Sequence, residues 1–131
     1  MKISLACLFC ALLAWGMVGW AQTPEGTRVH NINLTEARDI AAAGAVNAAI
    51  SLMVKDVMSC NAPEKKNPQA CVCSFKDDLN KLKAAYDRAL AKHPGWNEPN
   101  TVVTYFDPVT GKSVALAFPN IKRQLDACEK R

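Results

Sequence analysis

Apolar residues change their spacing several times along the chain, and each change marks an element. Over residues 34–59, Ile40, Ala43, Val46, Ile50, Met53, Val54 and Val57 recur at helical steps, while Asn47, Ser51 and Lys55 form a narrow polar line. This pattern predicts a long, mostly buried helix that starts at Asn33, which stands three places ahead of Glu36 as a capping residue does. Ala37, Ala41, Ala45 and Ala49 recur every four positions and would let a second helix approach closely. No charge falls between Asp39 and Lys55, but those fifteen residues are short of the roughly 20 that a membrane span needs. A core helix is the expectation; a dimerising helix or the wall of a ligand pocket are the alternatives.

Residues 61–69, with Pro63, Pro68, Lys65 and Lys66, read as a polar surface connection. Ser74 then precedes Asp77 as a cap, and Phe75, Leu79, Leu82, Tyr86 and Ala89 share one face of a second helix that His93-Pro94-Gly95 stops after Lys92. Beyond Trp96 the period becomes two. Residues 101–107 and 112–118 predict a β-hairpin around Asp107-Pro108-Val109-Thr110-Gly111, with Val102, Thr104 and Phe106 on one side and Val103 and Tyr105 on the other. Pro119 should end the return strand and Asn120 should cap a short last helix whose inner face carries Ile121, Leu125 and Cys128. The fold class is therefore α+β: a two-helix hairpin packed on a β-hairpin, with a short C-terminal helix and two disulfides.

The first residues are of a different kind. Residues 3–18 are almost all apolar, follow Lys2, and lead to the small residues Gly19 and Ala21, which reads as a signal peptide spanning 1–21 and cut before Gln22. A retained anchor is the alternative. Lipidation at Cys7 would leave only six residues ahead of it, too few for a charged start and an apolar run. Residues 22–32 hold Pro24 and Gly26 without a period and are expected to form a flexible arm before a single domain over 33–131. The membrane would then be met only in transit.

Composition narrows the picture further. Half of the 131 residues are apolar and 21% are charged, which is enough to bury a core and too apolar for a disordered tail. Removing 1–21 leaves 110 residues and takes Lys2 away, lowering the net charge from +4 to +3. The positive charges are interleaved with acids, as in Lys76, Asp77, Asp78 and Lys81, so no stripe is available for a phosphate backbone and nucleic acid is not an expected partner.

Past residue 21 the cysteines are Cys60, Cys71, Cys73 and Cys128, an even number that in an exported chain implies two disulfides. Joining Cys71 to Cys73 would close a ring too small for ordinary disulfide geometry. Two pairings remain, 60–71 with 73–128 and 60–73 with 71–128, and the spacing does not separate them. The alternative is that Cys71 and Cys73 form a metal or thiol-redox site, but the single Cys-x-Cys is not the paired or Cys-x-x-Cys spacing that such chemistry uses.

No catalytic constellation stands out. His30 lies in the arm and His93 at a helix end, where the helix dipole is reason enough for it. Asp77 and Asp78 belong to a helix start. Ser51, Ser59, Ser74 and Ser113 lack the strained turn of a nucleophile elbow, and no glycine-rich loop could hold a phosphate. The expectation is a protein that is not an enzyme and carries no cofactor. It would be periplasmic or secreted and would bind another protein there, as an inhibitor or immunity-type factor for an envelope enzyme does. Trp96, with His93 and Tyr105, is the candidate contact surface, although Trp96 could equally turn inward to plug the gap between helix and hairpin. A carrier of an apolar small molecule, held beneath the hairpin, is the second reading.

Overall fold

The computed structural model describes residues 28–64 and 66–130. The expected signal peptide and the first part of the expected arm, residues 22–27, lie outside them. In chain order the elements are β1 (His30–Asn33), α1 (Ala37–Cys60), α2 (Pro68–Ser74), α3 (Lys76–Lys92), a 3-10 turn (Pro94–Asn97), β2 (Thr101–Asp107), β3 (Lys112–Leu116) and α4 (Phe118–Glu129). The chain is α+β as expected, with two further elements: the short helix α2 and a strand that makes the sheet three-stranded.

That strand takes residues 30–32, expected to belong to a flexible arm, into the sheet. β1 runs parallel to β2, pairing Ile32 with Val103 and Asn33 with Thr104, so β2 is the central strand of the order β1-β2-β3. The Leu34 N–H donates to the Thr104 carbonyl at 2.8 Å, which extends the ladder past the point where a helix was expected to begin. Asn33 is thus committed to the sheet and caps nothing. The α1 N-cap is Glu36, whose backbone is extended and whose carbonyl accepts from the Asp39 and Ile40 N–H groups.

The β2–β3 hairpin forms as expected, with Val103 opposite Leu116 and Tyr105 opposite Val114. Its turn is held by Asp107, which accepts from the Val109 N–H at 2.9 Å and from the Thr110 hydroxyl at 2.8 Å. Those bonds, the Thr110 hydroxyl first, hold the Asp107 carboxyl below the usual carboxylate range. Gly111 closes the turn at φ 67°, a left-handed backbone that a Cβ would strain.

The inner face of the sheet, Thr101, Val103, Tyr105 and Leu116, is buried in one core with Ala43, Val46, Ala49 and Met53 of α1 and Leu82, Ala85, Tyr86 and Ala89 of α3. Phe118 completes this core. It is fully buried, stacked on Tyr86 at 5.8 Å and tilted against Trp96 at 5.2 Å. Pro119 is therefore not the end of a strand but the second residue of α4, whose N-cap is Ala117 rather than Asn120, because the core draws Phe118 into the helix start.

The helix α2 replaces part of the expected surface connection. Asn67 accepts from the Ala70 N–H through Oδ1 and Pro68 supplies the first helical residue. Ser74, expected to cap the next helix, instead donates to the Cys71 carbonyl at 2.6 Å and closes α2, leaving Phe75 as the N-cap of α3. The pairing of the cysteines follows from this helix: Cys60 joins Cys71, and Cys73 joins Cys128. Gln69 lies over the second bond, its amide 3.6 Å from the Cys73 sulfur. Two disulfides suit an oxidising environment outside the cytosol.

Candidate functional site

Of the residues first expected to meet a partner, Trp96 and Tyr105 are buried and His93 is half-buried. The 3-10 turn folds Trp96 inward, to 4% exposure, and its ring stacks on His93 at 4.2 Å. His93 Nε2 in turn faces Asp39 Oδ1 of α1 at 3.0 Å, so the pair ties the end of α3 to the start of α1. Tyr105 is 3% exposed, and its hydroxyl shares a hydrogen bond with Asn47. Trp96 and Tyr105 are therefore corrected as contact residues, whereas His93 keeps a side chain 26% exposed. Trp96 and Tyr105 are core residues because each ring has an apolar place to fill and a polar neighbour to satisfy.

The uncovered apolar surface lies on α1. The sequence suggested a helix buried on most sides, whereas only the stripe Ala43, Val46, Ala49, Met53 and Cys60 is buried. α3, β2 and the short helix α2, the last tied to it by Cys60–Cys71, pack against α1 and cover only that stripe. The C-terminal half of α1 therefore leaves Leu52, Val54, Val57 and Met58 exposed at 44, 49, 38 and 71%. α1 has the length and apolar character of a membrane-crossing helix, as the core helix of a soluble domain also can, and its buried stripe is built into the core.

Two hollows flank this helix. One, of about 620 Å³, separates α1 from α4 and is lined by Ile50, Met53, Val57, Leu79, Leu82, Ile121 and Leu125, with Asn120, Arg123 and Gln124 among its polar lining residues. Val57 belongs both to this hollow and to the exposed group. The other, of about 710 Å³, lies between α1 and the hairpin turn and is lined by Ile40, Gly44, Asn47 and Ser51 facing Tyr105, Pro108 and Val109. Gly44 keeps the second hollow open beside Tyr105: a Cβ there would stand 3.9 Å from the Tyr105 hydroxyl, an ordinary contact, so the position tolerates a small side chain.

A third hollow, of about 480 Å³, sits at the start of α4 and has a mixed lining: the polar residues Asn97, Asn100, Thr101, Asn120, Lys122 and Arg123 stand among the apolar Val29, Pro99, Val102, Ala117 and Pro119. None of its residues was singled out by the sequence as polar groups acting together, because they come from the 3-10 turn, β2 and α4. Asn97 and Asn100 within the Trp96 loop were the one visible hint.

Cys71 and Cys73 do not face a common point; each sulfur is bonded to a different partner. Among the described residues no group of three His, Cys, Asp or Glu side chains is placed to hold a metal ion. No family model matches the chain, and neither the curated proteins nor the solved structures yield a match.

Proposed function

We propose that the chain is exported to the periplasm or the medium through a leader at 1–21, and acts there as a disulfide-tied domain that binds another protein along the open side of α1. The observation that carries this reading is the set of large apolar side chains, Leu52, Val54, Val57 and Met58, left exposed beside and around the buried stripe of one helix. Single exposed apolar residues are ordinary, but a group on one helix beside an apolar hollow is the pattern of a recognition surface. An inhibitor or immunity-type factor for an envelope enzyme needs such a surface on a body that does not yield when it binds, and the two crosslinks supply that stiffness.

The test is retention of an envelope protein by the immobilised folded domain, compared with Val54→Asp/Met58→Asp. Both positions are exposed, so the double variant should keep its melting temperature and lose the retained protein. No retained protein, or equal retention by both forms, would overturn the reading. A second reading, carriage of an apolar small molecule, is favoured by the hollow between α1 and α4, whose walls are chiefly aliphatic. It predicts a ligand mass on the gently purified protein in native mass spectrometry.

A further inference from the structure

The geometry points to a binding site for a small organic oxyanion, a carboxylate or a phosphate ester, in the hollow at the start of α4. This inference is independent of the reading of α1. Its first support is Thr101. The residue is 2% exposed, it lines the hollow, and its hydroxyl is buried with no hydrogen-bond partner. Buried hydroxyls in folded proteins are nearly always paired, so an unpaired one beside a cavity indicates a partner that comes from outside the chain.

The second support is the helix itself. α4 has twelve residues, and its N-cap, Ala117, offers no side-chain acceptor to the first turn. Pro119 has no N–H and the Asn120 and Ile121 N–H groups donate to the Ala117 carbonyl, so the helix start brings to the hollow the positive end of its dipole rather than a row of free donors. The charges agree. Lys122 and Arg123 both line the hollow, and no acidic side chain does. Lys122 is held by Asp126 at 2.6 Å, whereas Arg123 is in no ion pair among the described residues. Asn97 adds a directed donor: its Oδ1 accepts from the Tyr86 hydroxyl at 2.8 Å, which leaves the amide NH2 to donate.

The size of the hollow and its apolar parts, Val29, Pro99 and Val102, indicate an anion with a small carbon body rather than a bare ion. Arg123 would form the charge-assisted pair, the Thr101 hydroxyl would donate to a second oxygen, and the apolar residues would take the carbon skeleton. Asn120 and Arg123 also line the hollow between α1 and α4, so a ligand here would be felt at the rim of that face.

The probes are sodium acetate and inorganic phosphate, titrated at constant ionic strength into the folded, oxidised chain and followed by backbone amide chemical shifts. Saturable shifts confined to 97–102 and 117–123 are expected. A response to acetate alone assigns a carboxylate ligand, to phosphate alone a phosphate ester, and to both the shared oxyanion chemistry. Arg123→Gln should weaken the response about tenfold, the usual worth of one charge-assisted hydrogen bond. Thr101→Val keeps the shape of a residue whose hydroxyl has no partner within the chain, so it should keep or raise the melting temperature and still weaken the response. Lys112→Gln, on the distant hairpin, should leave it unchanged. Shifts that do not saturate, or that fall equally in Arg123→Gln and Lys112→Gln, would overturn the proposal, as would full binding by Thr101→Val.

Discussion

Replacing Cys73 and Cys128 together with alanine should cost more stability than replacing Cys60 and Cys71, although the two bonds are chemically alike. The sequence separations are 55 and 11 residues. A crosslink acts largely by denying conformations to the unfolded chain, and loop-closure entropy puts the longer loop at about 4 kcal/mol and the shorter at about 3 kcal/mol. Alanine also removes two buried side chains from the 73/128 pair, Cys73 and Cys128, but only Cys60 from the 60/71 pair, so the packing losses act in the same direction as loop closure. A domain of this size is expected to be stable by about 5 to 15 kcal/mol. The longer bond is therefore a large share of the total, and its loss should bring the protein near its unfolding midpoint in mild denaturant. Urea unfolding of the two double variants under non-reducing conditions, followed by far-UV dichroism, measures the difference. A 60/71 variant that unfolds at a lower urea concentration than the 73/128 variant would refute the loop-closure reasoning.

Three other outcomes follow from the same structure. Phe118→Ala empties the space between Tyr86 and Trp96 and should cost about 3 to 5 kcal/mol in the same urea assay; a loss under 1 kcal/mol, roughly that of a surface change, would mean that this ring is not central. The Asp56 carboxyl is raised above its ordinary 3.8 by loss of hydration and by the neighbouring Asp78, so the folded state binds that proton more tightly than the unfolded chain. Stability should be greatest below 3.8 from this group and decline as pH rises above it, and Asp56→Asn should flatten that decline in a series of melting curves. The Tyr86 phenol is pushed up to about 12, chiefly by burial and then by Asp126 and Asp87, so its contribution is intact below pH 10 and is lost between 10 and 12. In a Tyr105→Phe background, phenolate absorbance should stay low at pH 10 in the folded protein and develop there in urea; equal titration in both states would contradict the burial of this side chain.

How far the sequence carried depends on the range of the interaction concerned. The hairpin was legible because Asp107, Gly111 and the flanking alternation are local, and α3 because Leu82, Tyr86 and Ala89 repeat on a single face. β1 was not, since His-Asn-Ile-Asn has little strand character of its own and is held by a partner some seventy residues away. The Asn67-Pro68 pair that starts α2 was visible as a cap followed by a first-turn proline, but it was read as a connection. For α1, apolar residues on several faces conceal which face is covered: Val46 and Val54 look alike in sequence, and only the placement of α3 and β2 separates a buried valine from an exposed one. Trp96 shows the converse, a loop residue that the 3-10 turn carries into the core. The oxyanion hollow is assembled from three segments, and no spacing along the chain could announce it.

Cys71 and Cys73 lie two positions apart on a helix, so their sulfurs leave α2 about 200° from one another. That angle decides the wiring. To exchange partners the helix would have to turn through nearly half a revolution or come apart, so a chain oxidised before α2 has coiled can become trapped with crossed bridges. Efficient maturation would then depend on a shuffling catalyst in the compartment, and material recovered from a host lacking one should be a mixture of isomers.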